Sequence, residues 1–115
     1  MTDPLLVDLD ALAVLRTEIG PGPVQELLEF FVSDARRLVR DFATHTEAGQ
    51  GKAAAKAVHN LKSSSALLGL PALFAAARAA EARPFEQDPR SAGELRRVLD
   101  ETIGRLSDLK LIAAP

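Results

Sequence analysis

The residues in this chain that are most suited to chemistry lie in the segment AVHNLKSSSALLGL, residues 57–70. The segment sets an imidazole, an ammonium group and three consecutive hydroxyls into an otherwise apolar pattern. An exposed neutral imidazole surrounded by cations is a nucleophile next to an anion site. This combination favours the placement of a phosphoryl group on the histidine nitrogen.

Helical spacing separates the histidine from the apolar side of this segment. The inward seam follows a 4-3-4-3 spacing and consists of Ala54, Val58, Leu61, Ser65 and Leu68. His59 is not on this seam and is predicted to face solvent. At helical offsets it shares its face with Lys52, Lys56, Lys62, Ser63 and Ala66. Three of the four lysines in the chain therefore surround one histidine.

Lysines and serines of this segment have separate predicted roles. Lys62, one turn after the histidine, can neutralise a phosphoryl group, and Lys56, one turn before it, adds long-range attraction. Ser65 permits close helix packing, and Ser64 can return its hydroxyl to the backbone one turn earlier. Ser63 faces outward, and packing does not explain it. The spacing by itself also fits an ordinary solvated helix face.

The rest of the chain is predicted to be helical, in five segments. The first follows an N-cap at Asp8 and stops at Gly20-Pro21, with an apolar stripe of Leu9, Leu12, Leu15 and Ile19. The second starts at Pro23, ends before Gly49 and Gly51, and carries an apolar face of Val24, Leu27, Phe31, Ala35, Leu38 and Phe42. The others cover about 52–68, 71–83 and 92–111, with PFEQDP breaking the chain before Ser91 caps the last.

No period-two alternation persists anywhere, so no strand is predicted. The connections are short, and consecutive long helices joined by short loops lie antiparallel. The expected fold is all-α, an up-down antiparallel four-helix bundle with a short additional N-terminal helix. Residues 1–115 are expected to form a single domain, since a chain of this length has room for one core.

Composition and charge exclude several classes of function. The chain has no cysteine, no apolar run of 18 residues and an acidic start, so we expect a cytoplasmic protein without disulfides or a membrane span. A net charge of −2 and the absence of Trp and Tyr argue against nucleic-acid binding. His45 and His59 lie on different helices, and His45 has no comparable neighbours, so we expect no metal site and read His45 as surface filler.

Catalysis by the chain alone is also disfavoured. It has no glycine-rich phosphate loop, which argues against ATP binding and against any kinase or ATPase activity of its own, and no cofactor is expected. A Ser-His-Asp hydrolase needs an oxyanion hole, for which a continuous helix has no free N–H groups.

The segment HNLKSSSALLG resembles the signature of histidine-containing phosphotransfer (HPt) domains, H-x-L-K-G-(S/A)-(S/A)-x-x-L-G. The positions that match are His59, Leu61, Lys62, Ser64, Ser65, Leu68 and Gly69. The flanking helices are also similar, so the resemblance covers about residues 8–83. It implies a four-helix bundle whose histidine relays phosphoryl groups between aspartates of receiver domains.

The resemblance also implies roles for individual residues. His59 would accept the phosphoryl group, and Lys62 would stabilise it. Ser63 stands where the family has glycine, so it narrows the partner's approach or donates to the phosphoryl oxygens. Glu81 stands where the family often has glutamine. It would hold the imidazole N–H and raise its basicity, or else be an ordinary surface glutamate.

The partners implied are response-regulator receiver domains and a hybrid sensor histidine kinase. We expect a monomer that works as a separate shuttle or forms a piece of a larger hybrid kinase. The alternative is a non-catalytic helical module that docks a receiver or kinase without phosphotransfer. A dimeric histidine-kinase phosphoacceptor bundle is disfavoured because Asn60, rather than an acidic residue, follows the histidine.

Overall fold

The computed structural model describes residues 4–82 and 89–113. Within these ranges all regular structure is helical, and no residue belongs to a strand. The all-α prediction is therefore confirmed. The helices are α1 (Leu9–Ile19), α2 (Pro21–Glu47), α3 (Gly51–Leu67), α4 (Pro71–Glu81) and α5 (Pro89–Asp108). None of the described helices is long and apolar enough to cross a membrane.

The first two helices begin where local chemistry supplies a start. Asp8 caps α1 as predicted, its carboxylate accepting a hydrogen bond from the Ala11 backbone N–H at 3.1 Å. Helix α2 begins at Pro21 rather than at the predicted Pro23. Gly20, with φ of +91°, makes the whole turn between the two helices, and proline suits a first helical position because it lacks the N–H that would remain unbonded there.

The last helix is shifted towards the N-terminus relative to the prediction. It runs from Pro89 to Asp108, whereas the sequence pattern indicated about 92–111. A proline is tolerated in the first turn, so Pro89 belongs to the helix instead of preceding it. The rest of the predicted break, residues 84–88, lies outside the described residues, as does Arg83 at the predicted end of α4.

A ring of helix–helix contacts encloses the core. Helix α2 contacts α3 and α5, α4 contacts the same two helices, and α1 packs against α2. The predicted seam of α3 is buried, which confirms the side of the helix that faces the core. Burying each large aliphatic side chain contributes about 1.5–3 kcal/mol. The fully buried leucines are Leu12, Leu28, Leu61, Leu70, Leu73, Leu95, Leu99 and Leu106.

Three apolar residues that were predicted to face the core do not. Leu27 is 44% exposed, and its neighbour Leu28 is buried in its place. Both leucines fit a spacing of three and four, but Leu28 lies nearer the centre of the α2 stripe. Leu9 and Ile19 are also exposed, because α1 packs against α2 alone among the described helices and buries the narrow strip at Leu12.

The turn between α3 and α4 is tied to the N-terminal segment. Gly69 adopts φ of +68°, and its carbonyl accepts the Asp8 backbone N–H at 2.8 Å. The Ala72 N–H donates to the Leu5 carbonyl at 2.9 Å. The chain reverses here, and α4 runs back along α3. The turn therefore sets the register in which residues of α4 meet the outer face of α3.

Substituting Gly69 by alanine is expected to destabilise the protein. A side chain in this left-handed conformation costs roughly 1–2 kcal/mol. The added Cβ would also lie 2.9 Å from the Ala11 Cβ and 3.3 Å from the Asp8 carbonyl oxygen. Gly104, in the middle of α5, meets no atom within 4 Å, and Gly104→Ala is expected to stabilise by about 0.5–1 kcal/mol. Urea unfolding measures the free energy of unfolding of both variants. Equal changes in the two variants would contradict this account of the turn.

Candidate functional site

His59 lies on the outer face of α3, as predicted, with 58% of its side chain exposed. The opposite side of the helix is held in the core by the buried seam. Lys52, Lys56 and Ser63 are exposed on the same outer face, and α3 contains no acidic residue. The imidazole is therefore open to solvent, on a strongly basic helix.

Glu81, the last residue of α4, contacts both His59 and Lys62 of α3. Its Oε2 lies 3.1 Å from His59 Nδ1, and its Oε1 accepts a hydrogen bond from Lys62 Nζ at 2.9 Å. The reversal at Gly69 brings this carboxylate back to the middle of α3. His59, Lys62 and Glu81, which we call the triad, thus form one connected group on the surface.

The charge state of Glu81 decides which imidazole nitrogen carries the proton. The hydrogen bond from Lys62 holds the pKa of the Glu81 carboxyl below its usual value of 4.5, and partial burial opposes this effect. The hydrogen bond with His59 lowers this pKa further. The carboxylate is therefore ionised at neutral pH and only accepts. The proton of a neutral His59 must sit on Nδ1, which leaves Nε2 with the free lone pair.

Lys62 forms an ion pair that the sequence did not indicate. Its side chain is 23% exposed, and its ammonium is paired with Glu81 instead of standing free beside the imidazole. An ammonium has three N–H donors, so two remain for another acceptor. Lys56 is exposed one turn before His59 and forms no ion pair with any described residue. The two lysines therefore differ: Lys62 belongs to the triad, and Lys56 is an exposed charge without an ion pair among the described residues.

The three consecutive serines lie in different environments. Ser63 is exposed one turn after His59. Ser65 is buried, and its Oγ donates to the Leu61 carbonyl at 2.7 Å. The hydroxyl that bonds one turn back is thus that of Ser65, whereas Ser64, predicted to do so, is half-buried. Of the three serines, Ser63 is thus the exposed one, on the same helix face as His59.

The second histidine has a structural contact that the sequence did not indicate. His45 Nδ1 lies 2.7 Å from Gln50 Oε1, and the Gln50 backbone N–H donates to the His45 carbonyl at 2.8 Å. These contacts close the turn between α2 and α3. His45 was read as surface filler, and the contact with Gln50 gives it a structural role at the start of α3.

Sequence reasoning also passed over Arg78. It is exposed on α4, three residues before Glu81, and residues three apart share a helix face. It forms no ion pair with a described residue. The signal that could have found it is its spacing from Glu81, since that glutamate had already been matched to the histidine.

The tautomer of His59 gives a direct test of the triad. For the neutral form of the His59 ring we expect nitrogen-detected NMR to show a protonated Nδ1 and an unprotonated Nε2, because the Glu81 carboxylate only accepts. Glu81→Ala removes the acceptor and is expected to shift the proton to Nε2, the form that unconstrained histidine prefers. His45, whose partner is an amide oxygen, is the internal control. A neutral His59 ring with its proton on Nε2 in the unaltered protein would contradict the assignment.

Comparison with known proteins gives a family match. The family model for the Hpt domain matches residues 26–108, which is more than half of the chain and includes all three members of the triad. No curated protein and no solved structure matches the chain. Hpt domains act in phosphotransfer in two-component signalling and interact with receiver domains and kinases. On this match, the chain belongs to the Hpt domain family.

Proposed function

We propose that this protein relays phosphoryl groups between receiver-domain aspartates through a phosphohistidine at His59. The observation that carries the proposal is the hydrogen bond between His59 Nδ1 and Glu81, which reserves Nε2 as the nucleophile. The exposed position of the ring supports it, because a partner's active site has to reach that nitrogen. The family match supports the same class of reaction.

The proposed transfer needs no separate general acid or base. Nε2 attacks the phosphorus of an aspartyl phosphate on the partner, and an N–P bond forms while the P–O bond to the aspartate breaks. The electron pair of the broken bond leaves with the aspartate carboxylate. His59 keeps its Nδ1 proton, so the ring becomes positively charged beside the Glu81 carboxylate. Attack by a second receiver's aspartate on the same phosphorus reverses these changes.

The cations on α3 would act on the phosphoryl group from two distances. Lys62 is held within one turn of His59 and has N–H donors left after its bond to Glu81. It is the residue that we propose stabilises the transferred group. Lys56, exposed and unpaired with any described residue, would attract the incoming anion over a longer range.

We extend the proposal to the arrangement of the helices. The ring of contacts among α2, α3, α4 and α5 supports an up-down antiparallel four-helix bundle, with α1 as an additional short helix. We propose that residues 1–115 form one Hpt domain. The triad is complete within one chain, and we propose a monomer as the working unit.

Ser63→Gln is expected to block docking of the partner without unfolding the protein. The substitution places a long side chain one turn from His59, on the surface that a receiver must cover to reach Nε2. Glutamine is a better helix former than serine, so α3 is expected to persist. Transfer from phosphorylated receiver domains measures the effect, with circular dichroism as the check on folding.

Ser33→Gln is the matched control, because Ser33 is an exposed helical serine on α2 rather than on α3. It is expected to leave the transfer rate unchanged. Equal transfer rates for Ser63→Gln and the unaltered protein would mean that receivers approach elsewhere. Unchanged binding of receivers with no labelling of any residue would favour a docking module without phosphotransfer.

A further inference from the structure

The outer surface formed by α3 and α4 is far more basic than the chain as a whole. Lys52, Lys56, Lys62 and Arg78 carry four positive charges, and Glu81 is the one carboxylate on α3 and α4. The complete chain has a net charge of −2. We call these four cations the basic wall. Since Glu81 is already paired with Lys62, three of the four cations have no carboxylate partner among the described residues.

Arg78 occupies a distinct place in this wall. It lies three residues before Glu81, about 4.5 Å along the axis of α4. Because α4 runs back along α3, this displacement leads away from His59 and towards the exposed C-terminal half of α3, the side of Ser63. Arg78 therefore lies on α4, whereas the lysines lie on α3. The triad separates Arg78 from Lys52 and Lys56.

We propose that Arg78 is a specificity-determining residue that binds carboxylates on the rim of the receiver's active site. The inference rests on the proposed function, since it assumes that the receiver covers this face. Charge complementarity selects the partner: an exposed guanidinium that forms no ion pair with a described residue fits an acidic rim beside the transfer site and is unfavourable for a basic one. Arginine binds carboxylates in a bidentate manner, so it can fix orientation where a lysine supplies charge alone.

A purely structural role for Arg78 makes different predictions. A cation in the last turn of a helix interacts favourably with the free carbonyl groups there, and Arg78 lies in the last turn of α4. Loss of that interaction would lower thermal stability and leave partner selection unchanged. A docking role would leave stability unchanged and would alter transfer from a protein donor.

The test compares Arg78→Gln with Arg36→Gln, which removes an exposed arginine from α2 that forms no ion pair with a described residue. Phosphorylated receiver domains serve as protein donors, and phosphoramidate serves as a small donor that needs no docking surface. Arg78→Gln is expected to lower kcat/KM from receivers about tenfold at low ionic strength, with kcat nearly unchanged. The difference is expected to shrink as salt is added. Arg36→Gln and all labelling by phosphoramidate are expected to stay as in the unaltered protein.

Arg78→Lys separates charge from geometry, and we expect it to restore the salt dependence but only part of the rate. Equal kcat/KM for Arg78→Gln and Arg36→Gln, a lower melting temperature as the sole effect, or slower labelling of Arg78→Gln by phosphoramidate would each overturn the inference. Failure of the unaltered protein to be labelled at His59 by either donor would instead contradict the proposed function, and the inference with it.

Discussion

His59→Gln is expected to abolish labelling of the protein by phosphorylated receivers while leaving its fold intact. Glutamine offers no nitrogen that accepts a phosphoryl group, and no other described side chain combines a nucleophilic nitrogen with the surrounding cations. The imidazole is 58% exposed, so we expect the free energy of unfolding to change by no more than about 0.5 kcal/mol. The amount of acid-labile label on the protein measures phosphorylation, and a thermal melt measures the change in stability.

The matched control for this substitution is the other histidine of the chain. His45→Gln removes an imidazole from the turn between α2 and α3 and is expected to leave labelling at the level of the unaltered protein. Its contact with Gln50 makes a change in stability the expected consequence instead. Acid-labile label that persists in His59→Gln would place the phosphoryl group on another residue.

Lys62→Ala is expected to slow transfer about 10- to 100-fold. A hydrogen bond to a charged group contributes roughly 1.5–3 kcal/mol, before screening by solvent reduces it. The substitution also removes the main cause of the lowered pKa of Glu81, so that pKa is expected to rise towards its usual value. Because the carboxylate still accepts from His59, the ring orientation is expected to survive. Quenched-flow transfer from a phosphorylated receiver gives the rate.

Lys110→Ala is the control for charge, because Lys110 is the one lysine outside α3. It is expected to transfer at the unaltered rate. Lys62→Arg retains the charge with a different geometry, and we expect it to recover part of the loss. Equal rates for Lys62→Ala and the unaltered protein would show that the ammonium does not act on the phosphoryl group.

Much of the fold could be predicted from spacing because helical periodicity is a local property. The buried seam of α3 and the exposure of His59 follow from a period of 3.6 residues and from nothing further along the chain. The same rule placed Leu27 in the core, and it failed there because Leu27 and Leu28 both satisfy the spacing. Which of the two packs inward depends on the neighbouring helices.

The triad could not be predicted from spacing, since its contacts join residues 19 and 22 positions apart. Glu81 was identified through resemblance to a family, and its bond to Lys62 was not foreseen. That bond depends on where α4 starts after Gly69 and on the register in which it runs back along α3. Spacing from Glu81 could have drawn attention to Arg78, but the role that we propose for it depends on its position across from α3, which spacing does not give.

The nitrogen that carries the phosphoryl group tests the central claim most directly. Phosphorus and nitrogen NMR of the protein, phosphorylated by a receiver domain, distinguishes a phosphoryl group on Nε2 from one on Nδ1. Since Glu81 holds Nδ1, this account predicts a single phosphohistidine at His59 with the phosphorus on Nε2. Phosphorus on Nδ1, or on any residue other than His59, would contradict it.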